Sequence, residues 1–328
     1  MKALLTAGNK SVSIGEIVLP RPGEGEILVE VTYVARNPTD WKMLDAPAGH
    51  AVGCDFAGTV ADSNGPQWRD GQRIAGWVHG RATDPPRGAF AEYLATESEM
   101  VSPMPDDITD QQAATISAAF ATTVQALVQR LKLPEPSDPA KTALPLLVNG
   151  GSTSVSMVEK KSYASEVPRR DIVVDYSIKD WPKRVRRITN NSLEHALDCV
   201  GEFLTILSTA TALSSTRGGH VLTLLPVRPV RESGEVGIEK IKLESTVAYA
   251  VFGRPVSSLC HDFDNFGPSS EDKTIWEKYL IMLPERLRSG KIQPNNVREM
   301  GITDDIPAGF EAQKKGDVGA EKLVYKVM

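Results

Sequence analysis

Leu146-Leu147-Val148-Asn149-Gly150-Gly151-Ser152-Thr153-Ser154-Val155-Ser156 is an apolar run that breaks into glycines and small hydroxyl residues. It reads as the first strand of a dinucleotide-binding sheet opening onto a phosphate-cradling turn. Glycine lets the backbone approach a pyrophosphate, and small residues leave the next helix N-terminus accessible. The following strand-like run, Ile172-Val173-Val174-Asp175-Tyr176, begins only 23 residues after the apolar run ends, Asn149 to Asp171 intervening. A helix, a strand, a second helix and their connections need roughly 40. The sheet domain therefore reads as lacking a helix and a strand, with the loss near residues 155–171.

On the C-terminal side of this stretch, strand and helix signals alternate. His195-Ala196-Leu197-Asp198-Cys199-Val200 and residues 218–224 read as strands around a helix at 203–213, the order of a parallel sheet with helical crossovers. A helix at 279–289 stops at Gly290, and residues 321–327 return to a strand that could rejoin the first domain. On the N-terminal side, residues 26–34 alternate with period two, and 58–60 and 73–78 add short strands between Gly, Pro, Asn and Asp, so this part is a β-rich, barrel-like domain. Residues 106–133 turn helical behind capping residues and an acidic first turn. Three prolines in residues 133–140 then preclude regular structure. The fold class is α/β, with domains at 1–105, rejoined by 292–328, and at 106–291.

The 328 residues suffice for two ordinary cores. A formal charge of −5, with both signs spread along the chain, argues against nucleic acid. Cys54, Cys199 and Cys260 are odd in number and far apart, as expected of reduced core thiols in a cytoplasmic protein. The start passes directly into strand-like alternation without the apolar region of a signal peptide, and no run reaches the roughly 18–20 apolar residues of a membrane span.

Seven pieces in order, Asn37-Pro38-Thr39-Asp40-Trp41-Lys42, residues 52–60, residues 88–93, Ala113-Ala114 through Thr122-Thr123, Asn149-Gly150-Gly151-Ser152-Thr153, Ala196-Leu197-Asp198-Cys199 and Glu321-Lys322-Leu323-Val324, span almost the whole chain. In them the sequence resembles a medium-chain dehydrogenase/reductase, and more narrowly the fungal trans-acting enoyl reductases of polyketide biosynthesis. The resemblance implies a GroES-like barrel domain and a Rossmann-type domain. The zinc branch of that superfamily has a cysteine at the Asn37 turn and Gly-His-Glu where this chain has Val52-Gly53-Cys54-Asp55. Neither ligand set is present, and His50 with Cys54 falls short of a zinc site.

What the resemblance implies is hydride transfer from NADPH to the conjugated double bond of a carrier-bound polyketide, in trans to its synthase. It puts Pro38, Thr39, Asp40 and Trp41 beside the nicotinamide with Lys42 close by, and Thr123, or its neighbour Thr122, at the substrate carbonyl. Gly150, Gly151, Ser152, Thr153 and Ser154 would meet the phosphates, and Tyr176 the adenosine. Leu224 and Leu225 match the nicotinamide-side loop, Val251, Phe252, Gly253 and Arg254 a substrate-pocket strand, and Val318 and Gly319 a closing cofactor contact. Judged as residues alone, Asp40 and Lys42 could simply close a turn, and Thr122 and Thr123 could cap or pack a helix.

The residues that hold the adenosine 2'-phosphate in relatives have no equivalents here. Residues 158–167 fit either the end of a second helix or a remnant first helix leading through Pro168-Arg169-Arg170 to the next strand. Lys160, Lys161, Arg169 and Arg170 are a substitute positive site or a solvated loop. The rival functions are a stand-alone quinone or enone reductase and a cofactor-free, non-redox partner of a synthase. Relatives pair the nucleotide-domain sheet edge to dimerise, and Arg228-Pro229-Val230 leaves monomer and homodimer both open.

Overall fold

Alternation in Glu26–Ala35 places Ile27, Val29 and Val31 on a buried face, which is how period-two patterning becomes a core. The computed structural model describes all residues except 43, 45, 46, 84, 85, 143, 151–171, 235, 236, 256–266 and 328. In chain order the elements are β1 (Lys2–Gly8), β2 (Ser11–Glu16), β3 (Glu26–Ala35), α1 (Pro38–Lys42), β4 (Asp55–Asp62), β5 (Arg73–Trp77), β6 (Ala82–Thr83), β7 (Pro86–Arg87), β8 (Tyr93–Glu97) and β9 (Val101–Pro103). There follow α2 (Asp110–Ala113), α3 (Ser117–Val124), β10 (Leu146–Asn149), α4 (Trp181–Ile188), β11 (His195–Asp198), α5 (Phe203–Ala212) and β12 (Gly219–Thr223). The chain ends through α6 (Arg228–Glu232), β13 (Ile241–Ser245), α7 (Ser270–Arg288), β14 (Val297–Ile302), α8 (Ile306–Lys314) and β15 (Lys322–Lys326). Two compact units result: Met1–Ala121 with Lys273–Met328, and Thr122–Asp272.

The first unit is built on a sheet of order β14-β15-β3-β4-β5-β9, with β8 also on β3. All its pairings are antiparallel except β14 with β15. The last strand does rejoin the first domain, pairing Val324 with Ala35 and Lys326 with Tyr33. Leu4, Ile27, Val29, Phe56, Ile74, Phe90 and Tyr325 fill its core, each such side chain contributing about 1.5–3 kcal/mol on full burial. Thr109 caps α2 in a reciprocal box with Gln112, whose backbone N donates to Thr109 Oγ1 at 3.2 Å while Thr109 N donates to Gln112 Oε1 at 3.0 Å.

The second unit carries four parallel strands in the order β10-β11-β12-β13. Ala196, Val221 and Leu243 share one face with Val185, Ile206 and Ala210 from α4 and α5. Leu197 and Leu222 share the other with Ala126, Leu127, Leu131 and Leu133. Apolar cover on both faces is what a parallel sheet requires.

One expected strand is absent. Ile172-Val173-Val174-Asp175-Tyr176 is irregular, with Val173 94% and Ile172 54% exposed. A β-branched run needs a neighbouring edge for its N–H and C=O groups, and among the described residues β10 pairs only with β11. Asp175 Oδ1 instead accepts from Ser177 N at 2.9 Å and Ser177 Oγ at 2.7 Å, closing a turn. The shortened stretch itself, 155–171, lies outside the described residues. Pro229 sits in the first turn of α6, where a missing N–H costs little, and not on a sheet edge.

Candidate functional site

In the second unit the carboxyl ends of three parallel strands lie side by side, Asn149 opposite Asp198 and Asp198 opposite Thr223. Such an edge is where open α/β sheets take ligands. Asp198 organises it. Its Oδ1 accepts from Val200 N at 3.0 Å, Gly201 N at 3.3 Å and Asn149 Nδ2 at 3.3 Å, and its Oδ2 from Thr205 Oγ1 at 2.8 Å. Burial pushes the Asp198 carboxyl above the ordinary carboxylate range, against the pull of these hydrogen bonds.

Gly150 turns the chain out of β10 at φ +69°, and a Cβ there would stand 2.4 Å from Val200 Cγ2. Gly201 is likewise left-handed, at φ +72°, with Leu225 Cβ and Thr223 Oγ1 each 2.8 Å from a built Cβ. Both positions need glycine for conformation and for space. Leu224 and Leu225 continue from Thr223, with Leu224 packed on the Leu197–Leu222 cluster and Leu225 N donating to Thr223 Oγ1 at 3.4 Å. The structure thus places Gly150, Leu224 and Leu225 at the carboxyl end of the same sheet. Gly151, Ser152, Thr153 and Ser154 lie outside the described residues, as do Lys160, Lys161, Arg169, Arg170 and Cys260. Tyr176 is 77% exposed in a turn, not at the end of a strand.

Thr122 and Thr123 lie on α3, Thr123 buried and Thr122 half-buried. Immediately after them the helix widens into a π-helical turn, Gln125–Arg130. Buried Asp272 holds this turn, accepting from Gln125 Nε2 at 2.8 Å, Gln129 Nε2 at 2.7 Å and Arg130 Nη1 at 3.0 Å. Val251, Phe252, Gly253 and Arg254 do not form the expected strand. Ala248–Phe252 is a 3₁₀ helix stopped by Gly253 at φ +63°, and Val251 and Phe252 are core residues at 1% and 5% exposure. Tyr249 stacks on Phe252 there, and that aromatic packing outweighs β-propensity.

In the first unit, Pro38, Thr39, Asp40, Trp41 and Lys42 form α1, a single helical turn. Asp40 is buried, its Oδ2 accepting from Asn37 N at 2.6 Å, and burial pushes its carboxyl up to about 6 despite that bond, the Cys54 thiol and nearby Arg36. Trp41 Nε1 and Arg36 Nη2 both donate to Gln313 Oε1, at 3.1 and 2.7 Å. Lys42 is exposed, its ammonium 5.8 Å from the Trp41 ring centroid. Val318 and Trp41 pack on the same core, while Gly319 is exposed.

Beneath α1 runs a buried polar chain. Asp55 accepts from Asn37 Nδ2 at 2.9 Å, Ala118 N at 2.8 Å and Lys322 Nζ, and Lys322 also donates to Thr115 O at 3.2 Å. Sequence reading missed the roles of Asp55, Lys322, Gln313, Asp198 and Gly201. A charged residue inside an apolar strand was the available signal for Asp55 and Asp198.

Residues 23–106 match the alcohol dehydrogenase GroES-like domain. The chain is 32% identical over 343 positions to the trans-enoyl reductase traG of Penicillium crustosum, covering 95% of this chain and 92% of that one. The chain belongs to the trans-enoyl reductase family. Another member, the trans-enoyl reductase ACTTS2 of Alternaria alternata, is 29% identical and covers 99% of this chain and 98% of its own. That alignment runs over 352 positions against 328 residues here, so this trans-enoyl reductase family member lacks residues its relative has. Among solved structures, an alcohol dehydrogenase superfamily protein from Novosphingobium aromaticivorans superposes over the full length of both chains with a TM-score of 0.75 at 17% identity. The CurK enoyl reductase covers 100% of this chain and 99% of its own at a TM-score of 0.73 and 15% identity. These likenesses establish the fold, a GroES-like domain joined to a Rossmann-type parallel-sheet domain.

Proposed function

We propose that this chain is an enoyl reductase that uses NADPH on a carrier-bound polyketide acyl thioester, in trans to a synthase. The observation that carries the cofactor half is the Cβ-free turn at Gly150, set beside Gly201 and held by Asp198 at the carboxyl ends of β10 and β11. Backbone there can come close to a pyrophosphate, so the residues fit the group. Bound NADPH supplies the hydride. Gly150, with Gly151, Ser152, Thr153 and Ser154, would hold the phosphates, Tyr176 the adenosine, and Leu224 and Leu225 would flank the nicotinamide. Pro38, Thr39, Asp40 and Trp41 would lie beside the nicotinamide with Lys42 close by, and Val318 and Gly319 would make a closing cofactor contact.

The hydroxyl of Thr123, or of Thr122, would donate a hydrogen bond to the thioester oxygen as it gains charge, which is where a preorganised donor acts most strongly. Val251 and Phe252, through the core they belong to, would shape the acyl pocket together with Gly253 and Arg254. Membership of the trans-enoyl reductases supports a carrier-bound substrate over a free quinone or enone.

Fluorescence titration with NADPH tests the reading. Saturation in the micromolar range is expected, and Gly150→Ala should weaken it about tenfold, through a strained left-handed backbone and the contact with Val200. No binding at millimolar cofactor would overturn the reading in favour of a non-redox partner. Equal rates on simple quinones and on pantetheine-linked enoyl thioesters would overturn the carrier-bound substrate.

A further inference from the structure

Between Asp175 and Asn191 the chain places five cations against two acids, in a protein whose formal charge is −5. Net charge conceals this concentration. Trp181, Pro182 and Val185 of α4 are buried against the second unit's core, so helical spacing sends Lys183, Arg184 and Arg187 outward, where all three are exposed. Beside them lies an open groove of about 770 Å³ lined by Asp180, Lys183, Arg186, Arg187, Asn190, Asn191 and Ser215.

The groove is shaped rather than incidental. Arg186 is pinned at its floor by the carbonyls at the end of α5, its Nε donating to Leu213 O at 3.0 Å and its Nη2 to Thr211 O. That fixes the guanidinium and also complements the negative end of α5. Asn190 and Asn191 adopt left-handed conformations at φ 50° and 57°, turning the chain sharply after the helix. Asn191 Oδ1 accepts from Ser215 N at 2.9 Å and Ser215 Oγ at 3.3 Å, which sets the far wall. The one acid on the groove, Asp180, is 3.8 Å from Lys183 with both side chains largely exposed, a weak pairing. Among the described residues, Arg184 and Arg187 have no side-chain ion pair or hydrogen bond.

We propose that this groove and the basic face of α4 dock an acidic helical segment of a partner protein, the synthase component that presents the acyl chain. The docking partner rests on the function proposed above. A short acidic helix matches a positive strip about two turns long, and the cations spaced along one helix face suit carboxylates spaced along another. A long polyanion such as a nucleic acid would overrun the strip onto a chain that is acidic overall. An open groove with spread cations also differs from the enclosed, converging donors that grip a single phosphate.

The test uses the full chain and a fluorescein-labelled Glu-rich helical peptide of about 15 residues, read by anisotropy at about 50 and about 200 mM salt. Saturable binding is expected, weakening at least about fivefold at the higher salt, and the Lys183→Glu/Arg187→Glu double variant should lose about tenfold or more. Lys183→Arg/Arg187→Lys should retain it, and unfolding midpoints of all forms should agree. Equal binding by wild type and charge-reversed protein would overturn the proposal. So would tighter binding of an oligonucleotide of matched charge, or displacement of the peptide by millimolar inorganic phosphate. Reduction of a soluble pantetheine enoyl thioester, measured on the same preparations, separates the two readings. Its absence in wild type counts against the reductase assignment alone, whereas peptide binding that ignores the reversed charges counts against the groove alone.

Discussion

Asp55 opens β4 in the first unit and Asp198 closes β11 in the second; both are fully buried, yet they are answered in different ways. Asp55 meets an ammonium, from Lys322, together with an amide N–H and a side-chain amide. Asp198 meets only neutral donors, all within residues 149–205. The first arrangement binds segments 267 positions apart in sequence and acts as a fastening. The second is local and acts as a mould, shaping two loops around the place where a cofactor's phosphates would sit. A buried charge pair is costly to break at one partner, whereas a carboxylate held by neutral donors has a near-isosteric substitute.

The comparison can be broken most forcefully at Lys322. Lys322→Met leaves Asp55 buried without its cation and should cost about 3–5 kcal/mol in urea unfolding. Pairing it with Asp55→Leu should restore a good part, and a loss below about 1 kcal/mol for the single variant would show that the pair is no fastening.

Asp40 sharpens the comparison, because its carboxyl is buried in the same unit with less compensation. Its folded pKa, about 6, lies above the ordinary 3.8. The folded form therefore holds its proton more tightly, and stability falls as pH rises from about 4 to about 6 and stays reduced above. Asp40→Asn keeps an acceptor for Asn37 N and removes the ionisation. It should match wild type near pH 4 and exceed it by about 2–3 kcal/mol at pH 8. A stability difference that does not grow with pH would contradict the assignment.

The smallest effect is expected at Asp198. In Asp198→Asn the amide oxygen can still accept from Val200, Gly201 and Asn149, so unfolding should shift by no more than about 1 kcal/mol. A loss as large as that of Lys322→Met would erase the distinction between mould and fastening.

Much of this architecture is legible in local pattern. β3, β11, β12 and β15 follow from alternation or from apolar runs bounded by turn residues. Ile172–Tyr176 misleads because β-branched propensity describes one strand and says nothing of whether an edge awaits it. Val251 and Phe252 mislead similarly, their aromatic neighbour Tyr249 drawing them into a 3₁₀ turn. Lys322 is silent in sequence because its partner is distant, and α4's basic face is silent because acids elsewhere cancel it in the sum. At the candidate site, Gly150 announces itself as glycine after an apolar run and Asp198 as a charge in one, whereas Gly201 gains meaning only once β10 and β11 are neighbours.

The closing of β3 by β15 sets an order for synthesis. The edge of β3 at Tyr33–Ala35 and the carboxylate of Asp55 are made early, but the strand and the ammonium that complete them emerge only with residues 322–326. The second unit ends at Asp272, so its residues are all made while the N-terminal sheet still waits with one side open. Residues 322–326 thus act as a latch on a strand made long before them.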